Sequence, residues 1–163
     1  MRRVELLDFP LETMRRAQQH SEELLREFQL IAHSIESDDA RVPKRLLELA
    51  AVSDERYAGL NPHAEDEVEA AIAEGREYVD LEVWVPPTFK DDTFEAVPVL
   101  LEVEEYCRSG QLLTLLPTDE VRAFWMWYLG EFVRQIDGEA PVSWRQWSPP
   151  EAFMPSGPVL DAG

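Results

Sequence analysis

Three histidines, one cysteine, five tryptophans and 33 carboxylates are the residues of this chain with chemistry to offer. His20 and His33 lie thirteen positions apart on one expected helix, about 20 Å along its axis, too far to share a metal. His63-x-Glu65-Asp66 has the residue types of a ligand cluster, but on a first helical turn these side chains fan apart, which favours a solvated turn. Among so many acids no pair stands out as a general acid with its base. The chain has no Gly-x-Ser-x-Gly elbow, Gly-x-Gly-x-x-Gly, Walker loop or His-Glu-x-x-His, the spacings that place a nucleophile, a phosphate or zinc. Its seven glycines are scattered, so nothing builds a phosphate-cradling loop. Cys107 sits beside Glu104 and Glu105, and neighbouring carboxylates raise a thiol pKa, so a small apolar packing role is expected for it. The expectation is therefore no catalytic residues, no metal and no cofactor.

The run Phe124-Trp125-Met126-Trp127-Tyr128 carries more information. On a helix, Val121, Trp125, Tyr128, Leu129, Phe132 and Ile136 share one face, the expected core side. Met126 and Trp127 fall outside it. A tryptophan buries roughly 150–250 Å², so Trp127 requires a cover. That cover is a second layer of the fold, the Pro-rich tail bearing Trp144 and Trp147, or a partner protein. Met126, Trp127, Trp144 and Trp147 are thus the candidate partner-binding residues, with packing of the tail on the last helix the favoured alternative.

These residues are positioned by a simple succession of elements. Residues 4–9 form a strand closed by Pro10. A helix over 11–35 carries the stripe Met14, Ala17, Leu24, Phe28, Ile31 and Ile35, and Ser37-Asp38-Asp39 makes a loop. A second helix spans 43–58 with Leu46, Leu47, Leu49 and Ala50. Asn61 caps a third helix with Pro62 at its first position, burying Ala64, Val68, Ala71 and Ile72. Residues 78–85 alternate with period two, with Val79, Leu81, Val83 and Val85 inward. A helix over 93–108 carries Phe94, Val97, Leu100, Leu101 and Val103, with Pro98 tolerable near its first turn. Leu112–Leu116 is a short buried strand or a helical turn. Thr118 caps the last helix, 119–137, which Gly138 ends. Residues 1–138 make one globular domain. Residues 139–163, with five of the twelve prolines, form a tail packed on it in part, with order fading beyond Pro155.

Composition sets the outer limits. At 163 residues, 45% apolar and 29% charged, the chain has the make-up of one globular domain with a sizeable core. A single cysteine permits no internal disulfide and suits a reducing compartment. Met1-Arg2-Arg3-Val4-Glu5 lacks the apolar stretch of a signal peptide, and no apolar run reaches the ~20 residues of a membrane helix. A cytoplasmic location is expected. Net charge is −18, and residues 51–163 hold −16 of it, from 7 basic and 23 acidic groups. Such a surface repels phosphate backbones, which argues against nucleic acid, and attracts basic proteins.

Phe9-Pro10 followed by Met14-Arg15-Arg16-Ala17 and Leu24-Leu25-Arg26-Glu27-Phe28, the run Glu105 to Leu115, and Trp127 to Gln135 carry a resemblance. Together they resemble small acidic actinobacterial proteins that accompany anti-sigma-factor kinases and STAS-domain antagonists. The likeness spans most of residues 4–137 and implies a setting, partner-switching regulation, without implying chemistry. The first forty residues are also similar to the first strand and helix of the anti-sigma ATPase fold. The chain lacks that fold's Asn-bearing metal helix and Asp-x-Gly-x-Gly adenine loop, so a relationship would imply that nucleotide binding has been lost.

The expected architecture is a helix-rich α+β domain, its small sheet of about three strands covered by helices. The expected function is a non-enzymatic regulatory module that binds another protein, in a sigma-factor partner switch, with a homodimer also allowed. The alternatives are an acidic inhibitor or immunity-type protein masking a basic site, and an enzyme or small-molecule binder without a familiar motif.

Overall fold

The structure, a computed structural model, describes residues 1–34 and 40–149. The expectations for Ile35, for the 37–39 loop and for residues 150–163 lie outside the described residues. Among the described residues two strands and five α-helices follow in order: β1 (Arg2–Pro10), α1 (Leu11–Ser34), α2 (Arg41–Tyr57), α3 (Pro62–Ala73), β2 (Tyr78–Val85), α4 (Phe89–Ser109) and α5 (Asp119–Ile136), with a 3-10 turn at Leu113–Leu115 before α5. The domain is helix-rich α+β, as expected, but the sheet has two strands rather than three.

The missing third strand has a physical cause. Leu112–Leu116 is apolar but for Thr114, a pattern that does not separate strand from helix. The run folds as the 3-10 turn, with Leu115 buried and Leu113 exposed. His20 Nε2 donates to the Leu115 carbonyl at 2.7 Å and ties the turn to α1. Side chains also occupy both free edges of the sheet. The Gln135 amide pairs with the Glu5 backbone, accepting its N–H and donating to its carbonyl, both at 2.8 Å. The Asn61 amide does the same to Trp84 on the other edge, accepting at 2.6 Å and donating at 3.0 Å. Asn61 is therefore not the side-chain cap of α3 that its sequence position suggests. Each amide satisfies backbone groups that would otherwise invite another strand.

β1 and β2 run antiparallel, with Val4 opposite Val83 and Leu6 opposite Leu81. One extra residue then enters β1, because the next pair is Phe9 opposite Val79. At the bulge Asp8 takes φ 53°, a left-handed conformation that Asp tolerates better than most side chains. Its N–H donates to Asp80 Oδ1 at 2.8 Å. The bulge switches the parity of the strand: Val4 and Leu6 point inward, and then Phe9 does, instead of Asp8. On β2 the alternation is unbroken, and Val79, Leu81, Val83 and Val85 are all buried, as the sequence predicts.

A two-stranded sheet is marginal alone, and helices complete its core. The inward face meets Leu11 and Ala17 of α1, Ala64 and Ala71 of α3, and Val121, Phe124, Trp127 and Phe132 of α5. Ile72, expected inside, is 54% exposed. A second cluster joins Leu24 and Phe28 of α1 to Leu46 of α2, Val103 and Cys107 of α4, and Leu115. α1 is long enough to serve both. Thr118 accepts the Val121 N–H at 3.3 Å and caps α5 as predicted.

The buried face of α5 is rotated from the expected one. It comprises Val121, Phe124, Trp127, Glu131 and Phe132, while Trp125 and Tyr128 are half-buried at its side. Trp127 is completely buried. Its indole N–H donates to the Val142 carbonyl at 2.9 Å, and Trp144 meets it edge-to-face at 5.6 Å between ring centroids. Trp147 stacks on Trp144 at 6.0 Å. The Trp144 N–H bonds the Leu7 carbonyl at 3.0 Å, beside the bulge of β1. Glu131 is 1% exposed. Its carboxylate accepts from Arg134 Nη1 at 2.9 Å, Gln135 Nε2 at 2.9 Å and the Val142 N–H at 3.0 Å.

Candidate functional site

Of the partner-binding residues suggested by the sequence, the structure brings Trp127, Trp144 and Trp147 together and leaves Met126 outside their cluster. Trp127 lies inside the fold and presents no surface. Trp144 and Trp147 are half-buried, their rings engaged with Trp127, Phe124 and each other. Met126 is half-buried outside both core clusters.

The largest contiguous set of exposed apolar side chains on one element lies on α4. Its inward face carries Thr93, Val99, Val103 and Cys107. On the opposite face Phe94 is 57%, Val97 39% and Leu101 56% exposed. Spacings of three, four and seven residues put these three on one stripe with exposed Pro98. Leu100 is 37% exposed at the margin. Scattered surface leucines are ordinary, whereas a helix apolar on opposite faces requires burial on both. The sequence reading grouped Phe94, Val97, Leu100 and Leu101 with Val103 as one set. The available signal was number: α4 has too many apolar residues for one face.

α4 is tied to both neighbours while its outer stripe stays exposed, with Lys90 Nζ 5.8 Å over the Phe94 ring. Arg45 Nη1 bonds Glu102 at 2.5 Å and Arg56 Nη1 bonds Asp92 at 2.6 Å, both from α2. On the α5 side Arg122 pairs with Glu104 at 3.3 Å and Lys90 Nζ with Asp137 at 2.6 Å. Tyr106 meets Phe28 edge-to-face at 5.5 Å. Exposed ion pairs are individually weak, but four on two flanks fix the rotation of the helix about its axis. α4 begins four residues earlier than expected, so Pro98 falls inside it rather than in the first turn. Proline has no N–H to close the α-helical bond to the Phe94 carbonyl.

At the N-terminal end of the stripe an open groove of about 430 Å³ is lined by Arg56, Tyr57, Pro86, Thr88, Asp91 and Asp92. The Tyr57 hydroxyl donates to Asp92 Oδ2. Burial, reinforced by this bond, pushes the Tyr57 pKa up to about 12. The same bond, with Arg56 alongside, holds the Asp92 carboxyl below its usual range. A second groove of about 430 Å³ lies between α3 and the outer sheet face, lined by Glu5, Asn61, His63, Glu67, Glu82 and Trp84 among others. Burial raises the Cys107 thiol, and Glu104 adds to the effect. Among the described residues no three His, Cys, Asp or Glu side chains are grouped to hold a metal ion, and no helix is long and apolar enough to cross a membrane.

The tyrosines give a test of this packing. Burial also pushes Tyr128 up to about 12, against ~10 in an unfolded chain. A raised tyrosine pKa contributes stability that is complete below about pH 10 and is lost as pH climbs toward 12. Asp92 works in the opposite sense: its contribution is present above ~3.9, the unfolded carboxyl value, and is lost as pH falls through its lower folded value. Urea unfolding should therefore show stability falling above pH 10, by up to about 1.4 kcal/mol per pH unit per tyrosine. Tyr57→Phe should make that limb shallower. A limb of the same slope in the variant would show that Tyr57 is not held neutral by its site.

No protein-family model, curated protein or solved structure matches the chain.

Proposed function

We propose that this chain is a non-enzymatic regulatory module that binds another protein, and that it docks through the outer stripe of α4. The observation that carries the proposal is the exposure of Phe94, Val97 and Leu101 on a helix otherwise fixed in place. A pre-ordered apolar surface loses little conformational entropy when a partner covers it, and large side chains at the centre of such a patch supply most of the binding energy. The resemblance over most of residues 4–137 supports a partner switch of a sigma factor as the setting, inside the cell.

The test compares the full chain with Phe94→Asp/Leu101→Asp as baits in the native host. A protein retained by the wild type and lost by the variant identifies the partner. The measured Kd should rise by at least about 10- to 100-fold, or ~1.4–2.8 kcal/mol. The melting temperature should stay unchanged, because surface substitutions stay within about 0.5 kcal/mol. A partner held equally by both proteins would refute docking at α4. The alternative of an acidic inhibitor draws on the charge of −18. It predicts binding that survives the α4 variant and collapses with salt.

A further inference from the structure

We infer that the partner presents a cationic amphipathic helix to α4. This inference rests on the protein-binding reading and specifies its chemistry. Phe94, Val97 and Leu101 span seven residues, about 10 Å along the axis, a length that two to three turns of a partner helix cover. The stripe is convex, which suits a helix laid alongside and not a small apolar ligand.

Charge decides among helices. Asp91, Glu95, Glu102 and Glu105 are exposed along the stripe's margin and its C-terminal continuation. Asp91 and Glu95 form no ion pair among the described residues. The two bases of α4 are engaged: Lys90 with Asp137, and Arg108 with Glu104 and Glu105. A second copy of this chain would bring the same acidic margin and a further −18 against it, so the surface disfavours self-pairing. An anionic membrane is disfavoured for the same reason. At the end of the stripe the groove beside Asp91 can take one long side chain. The unpaired acids Asp91 and Glu95 beside an apolar stripe call for donors with positive charge. The complementary element is a helix with an apolar face flanked by Lys or Arg.

Three synthetic amphipathic helices test this, sharing one Leu/Phe face and carrying Lys, Gln or Glu flanks. Their binding to the full chain is followed by fluorescence anisotropy. The Lys-flanked helix should bind at least about tenfold more tightly than the Glu-flanked one, with the Gln-flanked helix between. Its advantage should shrink between ~0.05 M and ~0.5 M NaCl as the charges are screened. Leu101→Asp should abolish binding. Asp91→Asn/Glu95→Gln should weaken the Lys-flanked helix several-fold without changing the melting temperature. Equal affinity for Lys and Glu flanks, or no binding of any peptide, would overturn the inference, as would self-association that Leu101→Asp removes. If a host partner is lost with Leu101→Asp while no cationic peptide binds, the docking surface stands and the cationic helix falls. If the host partner ignores Leu101→Asp, the docking surface itself is wrong.

Discussion

Ending the chain at Gly138 lowers the stability of the remaining domain by about 3–5 kcal/mol, the range for losing a large buried aromatic. Trp127 is the reason. It lies at the centre of the aromatic core, 6.2 Å from Phe124 and 6.3 Å from Phe9 between ring centroids. Its remaining cover and its hydrogen-bond acceptor both come from the tail, through Trp144 and the Val142 carbonyl. Without them the indole loses apolar cover and its N–H must find water. The Leu7 carbonyl also loses the Trp144 N–H. The prolines of the segment limit its freedom when undocked, which reduces the entropy lost on docking. Urea denaturation of the truncated and full chains measures the difference. An unchanged midpoint would mean that the tail adds nothing to the fold.

Glu131→Ala is the second large effect, at about 2–4 kcal/mol. The carboxylate joins three elements: Arg134 and Gln135 of α5, the Val142 N–H of the tail and, through Gln135, the Glu5 edge of β1. Its removal leaves the part-buried Val142 N–H unpaired and deprives Arg134 of its nearest anion. Arg134 keeps Glu139 at 3.2 Å and the Ala140 carbonyl at 2.8 Å, which limits the loss. Because the carboxylate acts with the tail, the two changes are not additive. In the chain ending at Gly138 the same substitution should cost at least about 1 kcal/mol less than in the full chain. Equal costs in both backgrounds would disprove the coupling.

The sequence made some of this legible. The alternation of residues 78–85 predicted β2 and its inward side chains, and the α1 stripe from Met14 to Ile31 and the Thr118 cap are as the pattern required. The errors have particular causes. α5 was rotated because Glu131 counts as a surface residue until the Val142 N–H and Gln135 are seen around it. The Asp8 bulge reverses the parity of β1, which no period-two count anticipates. Asn61 has the position of a cap and is used on the edge of β2 instead. The candidate site shifted for a related reason. Trp127, Trp144 and Trp147 read either as partner residues or, the favoured alternative, as a tail packed on the last helix, and they do pack on one another. Phe94, Val97 and Leu101 looked like core because α4 alone does not reveal which of its two apolar faces has a neighbour.

Hydrogen exchange on the complex with the α4-dependent host partner tests the central claim most directly. Exchange reports backbone opening segment by segment, so it locates the covered face without substituting any residue. The account predicts that binding slows exchange over residues 89–105, together with the 56–57 end of α2 that lines the adjoining groove, and leaves residues 139–149 as they are in the free protein. Slowing confined to residues 139–149, with α4 unchanged, would contradict it and return the binding site to Trp144 and Trp147.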